Sequence, residues 1–422
     1  MNEAPHERGQ ALILIVFAIV GLVAITGLAV DGGMAYSDRR NAQNAADAAA
    51  LAAALGHIRG RDITATALNT AAAEGYNNNN TTNNVTVSVA NLPFGTCPNT
   101  TIGVDITVQI TSVVSTAFAP VVGIRQLTNL VRATSRSCNS FVGPLFNGNA
   151  IVALDPHGVG FQARGTPNWL VTGGGIFSNS SDGTSADCKG AAGVTAPSLT
   201  TVGGINMACH TVAIGTTTMG APQLTPADYQ GLLPPVPSCN GTAWLKDGTW
   251  EPEAGANGSR VAFSGDMTFT DGLYCVTNSP GPYHGQIIGH NVTFFLMPTN
   301  FNIKFNGSGS NLTATAPGPG LDPLHPYIYA GVLMFSAPVI SGGVLQNTQS
   351  IDLRGNGTGD ISGSIIVPSA SVTLFGNSSA AALRTQVIGY NVNSGGTADI
   401  NLSYTAANGY QTNLPAWITL LR

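Results

Sequence analysis

The stretch "ALILIVFAIVGLVAITGLAV", residues 11–30, contains no charged residue, and the alanine-rich stretch "RRNAQNAADAAALAAAL", residues 39–55, follows it closely. At about 1.5 Å per residue, a helix over residues 11–30 spans roughly the 30 Å core of a bilayer. The apolar run ends at Asp31 without the A-x-A site of a cleaved signal peptide. The sequence therefore predicts a retained transmembrane helix at 11–30, preceded by a short N-terminus at 1–10.

The alanine-rich stretch predicts that this helix continues beyond the membrane. Alanine has the highest helix propensity, and no proline occurs between Asp31 and Ala54, so we expect helix across residues 31–76. A face of small side chains lets another element approach closely. Two interpretations are open: the face packs against another helix in an assembly, or it lies on a sheet of the same chain.

The pattern changes to alternating apolar and polar residues between positions 77 and 141. Three segments predict strands because they alternate with period two: "NNVTVSVANL", "IGVDITVQITSV" and "LTNLVRATSRSC". The apolar segment "SVVSTAFAPVVGI" between the last two predicts a short helix. We expect a small α/β module at 77–141 that packs on the end of the long helix.

Short β-rich segments between Gly and Asn turns recur through residues 142–422. The clearest internal repeat is "QIIGHNV" at Gln286 and "QVIGYNV" at Gln386, and the pair Ile365 and Ile366 precedes Val387 and Ile388 by 22 residues. Repetition at this period predicts a parallel β-solenoid. A pair of β-sandwiches is the alternative fold. The segment 224–258 is rich in proline and aromatic residues, which predicts an inserted loop or lid between coils.

Six cysteines, all located after the apolar run, suit an oxidising compartment. No two of them have the spacing of a metal knuckle or redox motif, and six cysteines allow 15 pairings. Buried free thiols are the alternative to disulfides. Among the pairings we favour the sequential one: Cys97 with Cys138, Cys188 with Cys209, and Cys239 with Cys275.

Composition and motifs argue against several functions. Net charge is −5 and no long basic run occurs, so the electrostatic footprint of a nucleic-acid-binding protein is absent. The five histidines after residue 150 lack metal-ligand spacing, and no nucleophile elbow or phosphate loop occurs. We expect no catalytic residue, metal or cofactor, and therefore no enzyme.

Two alternative functions are open for the solenoid. A surface-tethered polysaccharide-active enzyme needs a pair of carboxylates, for which the candidates are Asp266 with Asp271 and Asp352 with Asp360. These positions are more typical of turn formers. A non-catalytic glycan-binding protein needs an exposed aromatic row, for which the candidates are Trp244, Trp250 and Tyr229.

Residues 8–54 resemble the N-terminal segment of Tad (tight adherence) or Flp pilus-assembly proteins of the TadE/TadG-like group. The shared elements are Gly9-Gln10, Asp31, Tyr36 and the run from Ala42 to Ala53. The resemblance implies a bacterial, pilin-like component of the inner membrane whose remainder is exported. Prepilins that are cleaved carry Glu at the fifth position after the cleavage glycine, where this chain has Leu14. A permanently anchored TadG-like protein is therefore favoured over a major pilin.

The expected interaction positions all lie in this N-terminal segment: Gly9, Gln10, Asp31, Tyr36, Asn44, Asp47, Leu51 and Leu55. The expected partners are the membrane and other Tad/Flp pilus-system proteins, with surface glycans as a further candidate. We expect a single-pass protein with its N-terminus in the cytoplasm and its bulk in the periplasm or outside the cell. The exported solenoid is then a structural, adhesive or filament-associated module.

Overall fold

The structure is a computed structural model that describes residues 8–93, 96–97, 103–279, 281–305, 311–318, 328–354, 361–376 and 383–421; the side chains of 8–12, 311 and 354 lie outside this description. The chain forms two units. The first comprises Met1–Phe141 together with Leu414–Arg422, and the second comprises Val142–Asn413.

Two helices begin the first unit, α1 (Arg8–Ile58) and α2 (Ile63–Ala73). The single helix expected across 31–76 is therefore interrupted after Ile58. Gly60 adopts a left-handed φ of 67°, which an L side chain adopts only with strain. Asp62 then caps α2, since its carboxylate accepts a hydrogen bond from the N–H of Ala65 at 2.6 Å.

An antiparallel sheet with strand order β1-β2-β3-β29 completes the first unit. Its strands are β1 (Asn83–Asn91), β2 (Gly103–Ser115), β3 (Gln126–Cys138) and β29 (Trp417–Leu421). The first three lie where the alternating pattern predicts them. The helix expected between β2 and β3 is reduced to one 3₁₀ turn at Ala119–Val122, which Pro120 begins and Gly123 ends.

Alternation in β2 places one face of the sheet under the helices. Ile106, Val108 and Ile110 are fully buried there together with the alanines of α1. The opposite face is polar, and Arg136 Nε contacts Asp105 Oδ1 at 2.8 Å across β3 and β2. This one-sided burial is typical of an antiparallel sheet that carries a helical layer.

In its described residues the second unit consists mainly of β-strands and has one short α-helix, α3 (Pro226–Tyr229). Its strands, the first and last of which extend one residue beyond the unit, are β4 (Phe141–Pro144), β5 (Ile151–Ala153), β6 (Phe161–Gly165), β7 (Asn168–Thr172), β8 (Ile176–Ser178), β9 (Ala186–Thr201), β10 (Ile205–Met219), β11 (Gly241–Thr242), β12 (Trp244–Lys246), β13 (Thr249–Glu251), β14 (Ser259–Val261), β15 (Met267–Phe269), β16 (Gly272–Val276), β17 (Gln286–Gly289), β18 (Val292–Leu296), β19 (Asn302–Phe305), β20 (Asn311–Thr315), β21 (Val332–Phe335), β22 (Ile340–Ser341), β23 (Val344–Leu345), β24 (Gln349–Arg354), β25 (Ile361–Phe375), β26 (Arg384–Gly395), β27 (Ile400–Ser403) and β28 (Gln411–Leu414).

Most of these strands form the parallel β-solenoid that the sequence predicts, and it has about 10 turns. The pairs β4 with β28 and β22 with β23 form separate two-stranded sheets, and β12 pairs antiparallel with β13. Parallel pairing between successive turns excludes the alternative β-sandwich, whose sheets are antiparallel. The 22-residue offset found in the sequence is the number of residues in one turn of the solenoid here, because Ile365 and Ile366 pair with Val387 and Ile388 on the adjacent strand. Inward side chains in register form a continuous core, in which Phe294, Met334, Ile365, Val387 and Ile151 occupy successive turns.

The order of the turns in space differs from their order in the chain. The chain enters at β5 in the interior of the stack and winds outward through β8 and β9 to β10, which forms one end. It resumes at β11 near the other end and winds back until β26 lies on β5. One column of the stack therefore runs β11, β14, β16, β18, β21, β25, β26, β5, β8 and β9.

Residues 220–240 connect the two ends along one flank of the solenoid. Leu224 hydrogen-bonds with Asn179, Tyr229 lies 5.8 Å from Phe146 between ring centroids, and the carbonyl of Pro235 accepts from Tyr329. The segment covers outward apolar side chains of the stack. Of the inserted loop or lid expected at 224–258, the part up to residue 240 belongs to this flank connection, and strands β11, β12 and β13 of the terminal turns follow it.

The six cysteines form three disulfides in sequential order, Cys97–Cys138, Cys188–Cys209 and Cys239–Cys275. The first joins residues of the N-terminal unit, and the second joins the adjacent strands β9 and β10. The third ties the end of the flank connection to β16. The solenoid ends earlier than the expected residue 422, because β29 pairs with β3 in the sheet of the first unit.

Gln386 of β26 hydrogen-bonds with residues 145–149, the segment through which the chain enters the solenoid before β5. Its side chain is fully buried, and Nε2 donates to the carbonyls of Asn149 at 2.8 Å and Leu145 at 3.1 Å. Substituting Gln386→Leu leaves the buried carbonyl of Leu145 and the half-buried carbonyl of Asn149 without their donor. We expect a loss of about 1–3 kcal/mol in the free energy of unfolding, measured as a lower urea midpoint.

The internal repeat supplies a matched control. Gln286 occupies the equivalent place in "QIIGHNV" but is exposed, so Gln286→Leu is expected to change the free energy of unfolding by no more than about 0.5 kcal/mol. Equal urea midpoints for Gln386→Leu and Gln286→Leu would contradict the stabilising role assigned to the hydrogen bonds of Gln386.

Candidate functional site

The alanine face of α1 packs against the sheet of its own unit. Seven alanines on this face are fully buried: Ala42, Ala45, Ala46, Ala49, Ala50, Ala53 and Ala54. The helix backbone approaches β3 so closely that Ser135 Oγ donates to the carbonyl of Ala50 at 2.6 Å, and Ser137 Oγ to that of Ala54 at 3.2 Å. Of the two interpretations left open by the sequence, packing on the chain's own sheet is the observed one.

Asp31 is buried and holds the loop between β2 and β3. Its carboxylate accepts backbone N–H bonds from Ala117 at 2.7 Å, Phe118 at 3.1 Å and Ala119 at 2.7 Å. Burial alone raises the pKa of a carboxyl group, but these donors outweigh it and hold the pKa of Asp31 below its ordinary value. Asp31 therefore has a positioning role within its own unit.

Asp38, about two turns further along α1, also links the helix to its own unit, and it was not among the positions expected from the sequence. Its carboxylate accepts from Asn129 Nδ2 at 2.7 Å, Ser112 Oγ at 3.0 Å and the hydroxyl of Tyr76 at 3.2 Å. Burial, with the charge of Asp38, raises the pKa of Tyr76 to about 12, so this hydroxyl stays a donor. The seven-residue spacing from Asp31 places both acids on the alanine face, which was the available signal.

The remaining interaction positions on the described helix share an outward face. We call Tyr36, Asn44, Asp47, Leu51 and Leu55 the outer stripe. At about 100° per residue they span roughly 100° of the helix circumference. Tyr36 is 70% exposed, and Leu51 and Leu55 are each 39% exposed.

Two members of the outer stripe have polar surroundings. Asp47 is half-buried and accepts from Gln43 Nε2 at 2.8 Å, whereas Asn44 lines a shallow polar depression beside Asp38 and Tyr76. Gly9 and Gln10 lie in the first turns of α1, and the side chain of Gln10 is outside the description.

The apolar side chains at residues 13–30 of α1 are exposed, since other parts of the first unit do not cover them. Of residues 13–30 only Gly27 is buried, and Phe17 and Leu28 are 70% and 77% exposed. Burying such a surface away from water is strongly favourable. Among the described residues α1 is the one helix that is long and apolar enough to cross a membrane.

The solenoid carboxylates are engaged in contacts between turns. Asp266 accepts from the N–H of Gln286 at 2.8 Å, and Asp271 accepts from Asn291 Nδ2 at 3.1 Å. Asp352 lies in register between Lys304 and Thr373 on adjacent turns, and burial raises its pKa. Asp360 lies outside the described residues.

The aromatic candidates are not assembled into one exposed row. Tyr229 is buried in the flank connection, Trp250 packs against the solenoid core, and Trp244 is 43% exposed with its Nε1 donating to Glu251. Within the described part of the chain, no group of three His, Cys, Asp or Glu side chains is placed to hold a metal ion.

These features define a protein with an exposed apolar helix, a helix-and-sheet part and a β-solenoid. We call the part of the first unit that follows residue 30 the head. Residues 9–56 match the family model described as putative Flp pilus-assembly TadE/G-like. The match covers the N-terminal helix segment only, which is the part that carries Asp31, Asp38 and the outer stripe. No curated protein and no solved structure matches the chain.

Asp31→Asn provides a test of the loop contact. The variant keeps the shape of the side chain but loses the charge that strengthens three N–H bonds, so amide exchange at 117–119 is expected to accelerate. Hydrogen-exchange mass spectrometry of peptides covering 113–125 measures this. Asp47→Asn, on the same helix but without contact to this loop, is the control and is expected to leave these peptides unchanged; acceleration in both variants contradicts the assignment.

Proposed function

We propose that the chain is a permanently anchored, non-catalytic component of a Tad/Flp-type pilus-assembly system. The observation that carries the proposal is the family match at 9–56 over a helix whose apolar residues are bare. Both are consistent with a membrane anchor. In this proposal residues 11–30 cross the inner membrane once, residues 1–10 remain in the cytoplasm, and the rest of the chain is exported.

Export of the larger part is supported by its covalent chemistry. All six cysteines are paired, and disulfides persist in oxidising compartments outside the cytoplasm. The low content of charged residues, 9%, suits a stack in which each turn is paired on both sides. We assign the solenoid a structural, adhesive or filament-associated role.

A non-catalytic role is supported by the contacts of the described solenoid acids. Asp266 and Asp271 each accept a hydrogen bond from an adjacent turn, and Asp352 is aligned with Lys304. These contacts account for the three carboxylates as parts of the stack. A general acid and its partner in glycoside hydrolysis must instead face a common substrate site.

The outer stripe is the surface that we assign to other pilus-system proteins. The alanine face is already occupied by the sheet, so the side of α1 available to a partner is the one that carries Leu51 and Leu55. Apolar side chains among polar ones are typical of an interface core.

The test replaces the outer leucines in the native host. Leu51→Gln with Leu55→Gln is expected to leave the chain in the membrane fraction but to abolish its co-purification with other pilus-system proteins. Leu130→Gln is the matched control, because Leu130 is 57% exposed on β3 of the same unit. Retention of all three disulfides, checked by non-reducing peptide mapping, shows that the variants fold.

Two results overturn this proposal. Recovery of the unmodified chain in the soluble fraction contradicts the anchor, and equal co-purification of the stripe variant and the Leu130→Gln control contradicts the assigned surface. External protease added to intact cells, and then to spheroplasts, measures whether the solenoid is exported.

A further inference from the structure

The loop between β2 and β3 carries the most exposed apolar side chains of the head. We call residues 117–124 the apolar loop. Val121 is 92% exposed, Val122 76%, Ile124 48% and Phe118 44%. Four large apolar side chains on one short loop are costly in water, and such patches mark sites that contact a membrane or another protein.

The apolar loop is held in one conformation. Thr116 Oγ1 donates to the carbonyl of Ile124 at 2.7 Å, and the N–H of Thr116 donates to the carbonyl of Arg125 at 3.1 Å. The 3₁₀ turn lies between these ends, and Gly123 terminates it with a φ of 87°. The valines are therefore presented by a preformed turn, which lowers the entropic cost of binding.

Contacts with α1 fix how deep this loop lies along the helix. Asp31 binds its backbone at the end of the apolar run, and Phe118 packs on Gly27 within the run. A Cβ placed on Gly27 would lie 2.7 Å from Phe118 Cβ, so this close approach requires glycine. Gly27 precedes residue 30, the last residue of the apolar run, by three residues, which places it about 4.5 Å inside the predicted membrane span at 1.5 Å per residue.

We infer that the apolar loop inserts into the lipid of the leaflet from which the head emerges, as a second membrane contact beside the helix. The inference rests on the anchor in the proposed function. Lipid is the occupant favoured by continuity, since the loop adjoins the bare surface of residues 13–30. Arg125 is exposed immediately after the loop, where a cation can contact lipid phosphates.

This second contact restricts the head. A helix alone leaves the head free to rotate about the helix axis and to tilt with it. A loop inserted beside the helix adds a second point of attachment, so one side of the head faces the bilayer and the outer stripe keeps a fixed direction. The outer stripe is therefore presented to partners that lie beside the chain in the plane of the membrane.

Fluorescence quenching tests the inference in the full chain. The native cysteines are all paired, so a cysteine introduced by Val121→Cys can be labelled alone with an environment-sensitive fluorophore. The protein is reconstituted in vesicles of phosphatidylcholine with a minor share of phosphatidylglycerol. Phe17→Cys reports on the helix in the bilayer. Arg59→Cys is the exposed control, because Arg59 directly follows the last residue of α1, which lies about 40 Å from Asp31 at 1.5 Å per residue.

The expected result is a blue-shifted emission at position 121, quenched by doxyl-labelled phosphatidylcholine and protected from aqueous iodide. Position 59 is expected to show the reverse. Quenching by doxyl lipid at position 17 combined with free iodide access at 121 overturns the inference while leaving the anchor intact. Protection from both quenchers at 121 assigns the loop to a protein contact and also overturns it. Absence of lipid quenching at both 17 and 121 overturns the anchor itself.

Discussion

The short distance between α1 and the sheet is the constraint on which the first unit depends. Over residues 42–54 the helix faces the sheet with alanine methyl groups, and at this separation the hydroxyls of Ser135 and Ser137 reach helix carbonyls. A larger side chain in the alanine face would push the elements apart and break these bonds. Because the contact fixes the rotation of the helix, Asp31 and Asp38 point inward and the outer stripe points away.

The second unit depends on a different constraint, the pairing of the last turn with the first one entered. Since β26 lies on β5, the chain enters and leaves the solenoid in its interior rather than at its ends. The first and last strands of the unit, β4 and β28, pair with each other as a consequence. The flank connection is then needed to carry the chain from one end of the stack to the other, and the Cys239–Cys275 disulfide secures it.

Features with a strong local period could be predicted from the sequence. The apolar run, the strands of the first sheet and the 22-residue solenoid offset all follow from repetition of side-chain types along the chain. The outer stripe followed from helical spacing and from the resemblance to Tad/Flp proteins. The order of turns in space could not be predicted, because a parallel strand carries no local mark of which neighbour it will pair with.

Two other features required tertiary information. The role of Asp31 depends on backbone donors at 117–119, more than eighty residues away in the chain, so the sequence indicated only that the position was special. The segment before Arg125 has a helix-like apolar composition, but Pro120 and Gly123 limit it to one turn. What remains exposed there is the apolar loop, whose meaning depends on its place beside the bare part of α1.

The most direct measurement of the central claim, that α1 packs its alanine face on its own sheet, is disulfide trapping in membranes with Ala50→Cys and Ser135→Cys combined. Mass spectrometry is predicted to find the two introduced cysteines linked within one chain. The pair Leu51→Cys with Ser135→Cys, one residue further along the helix and on the outer stripe, is predicted to remain unlinked. Crosslinks between position 50 of two different chains, with no intrachain link to position 135, would contradict the account.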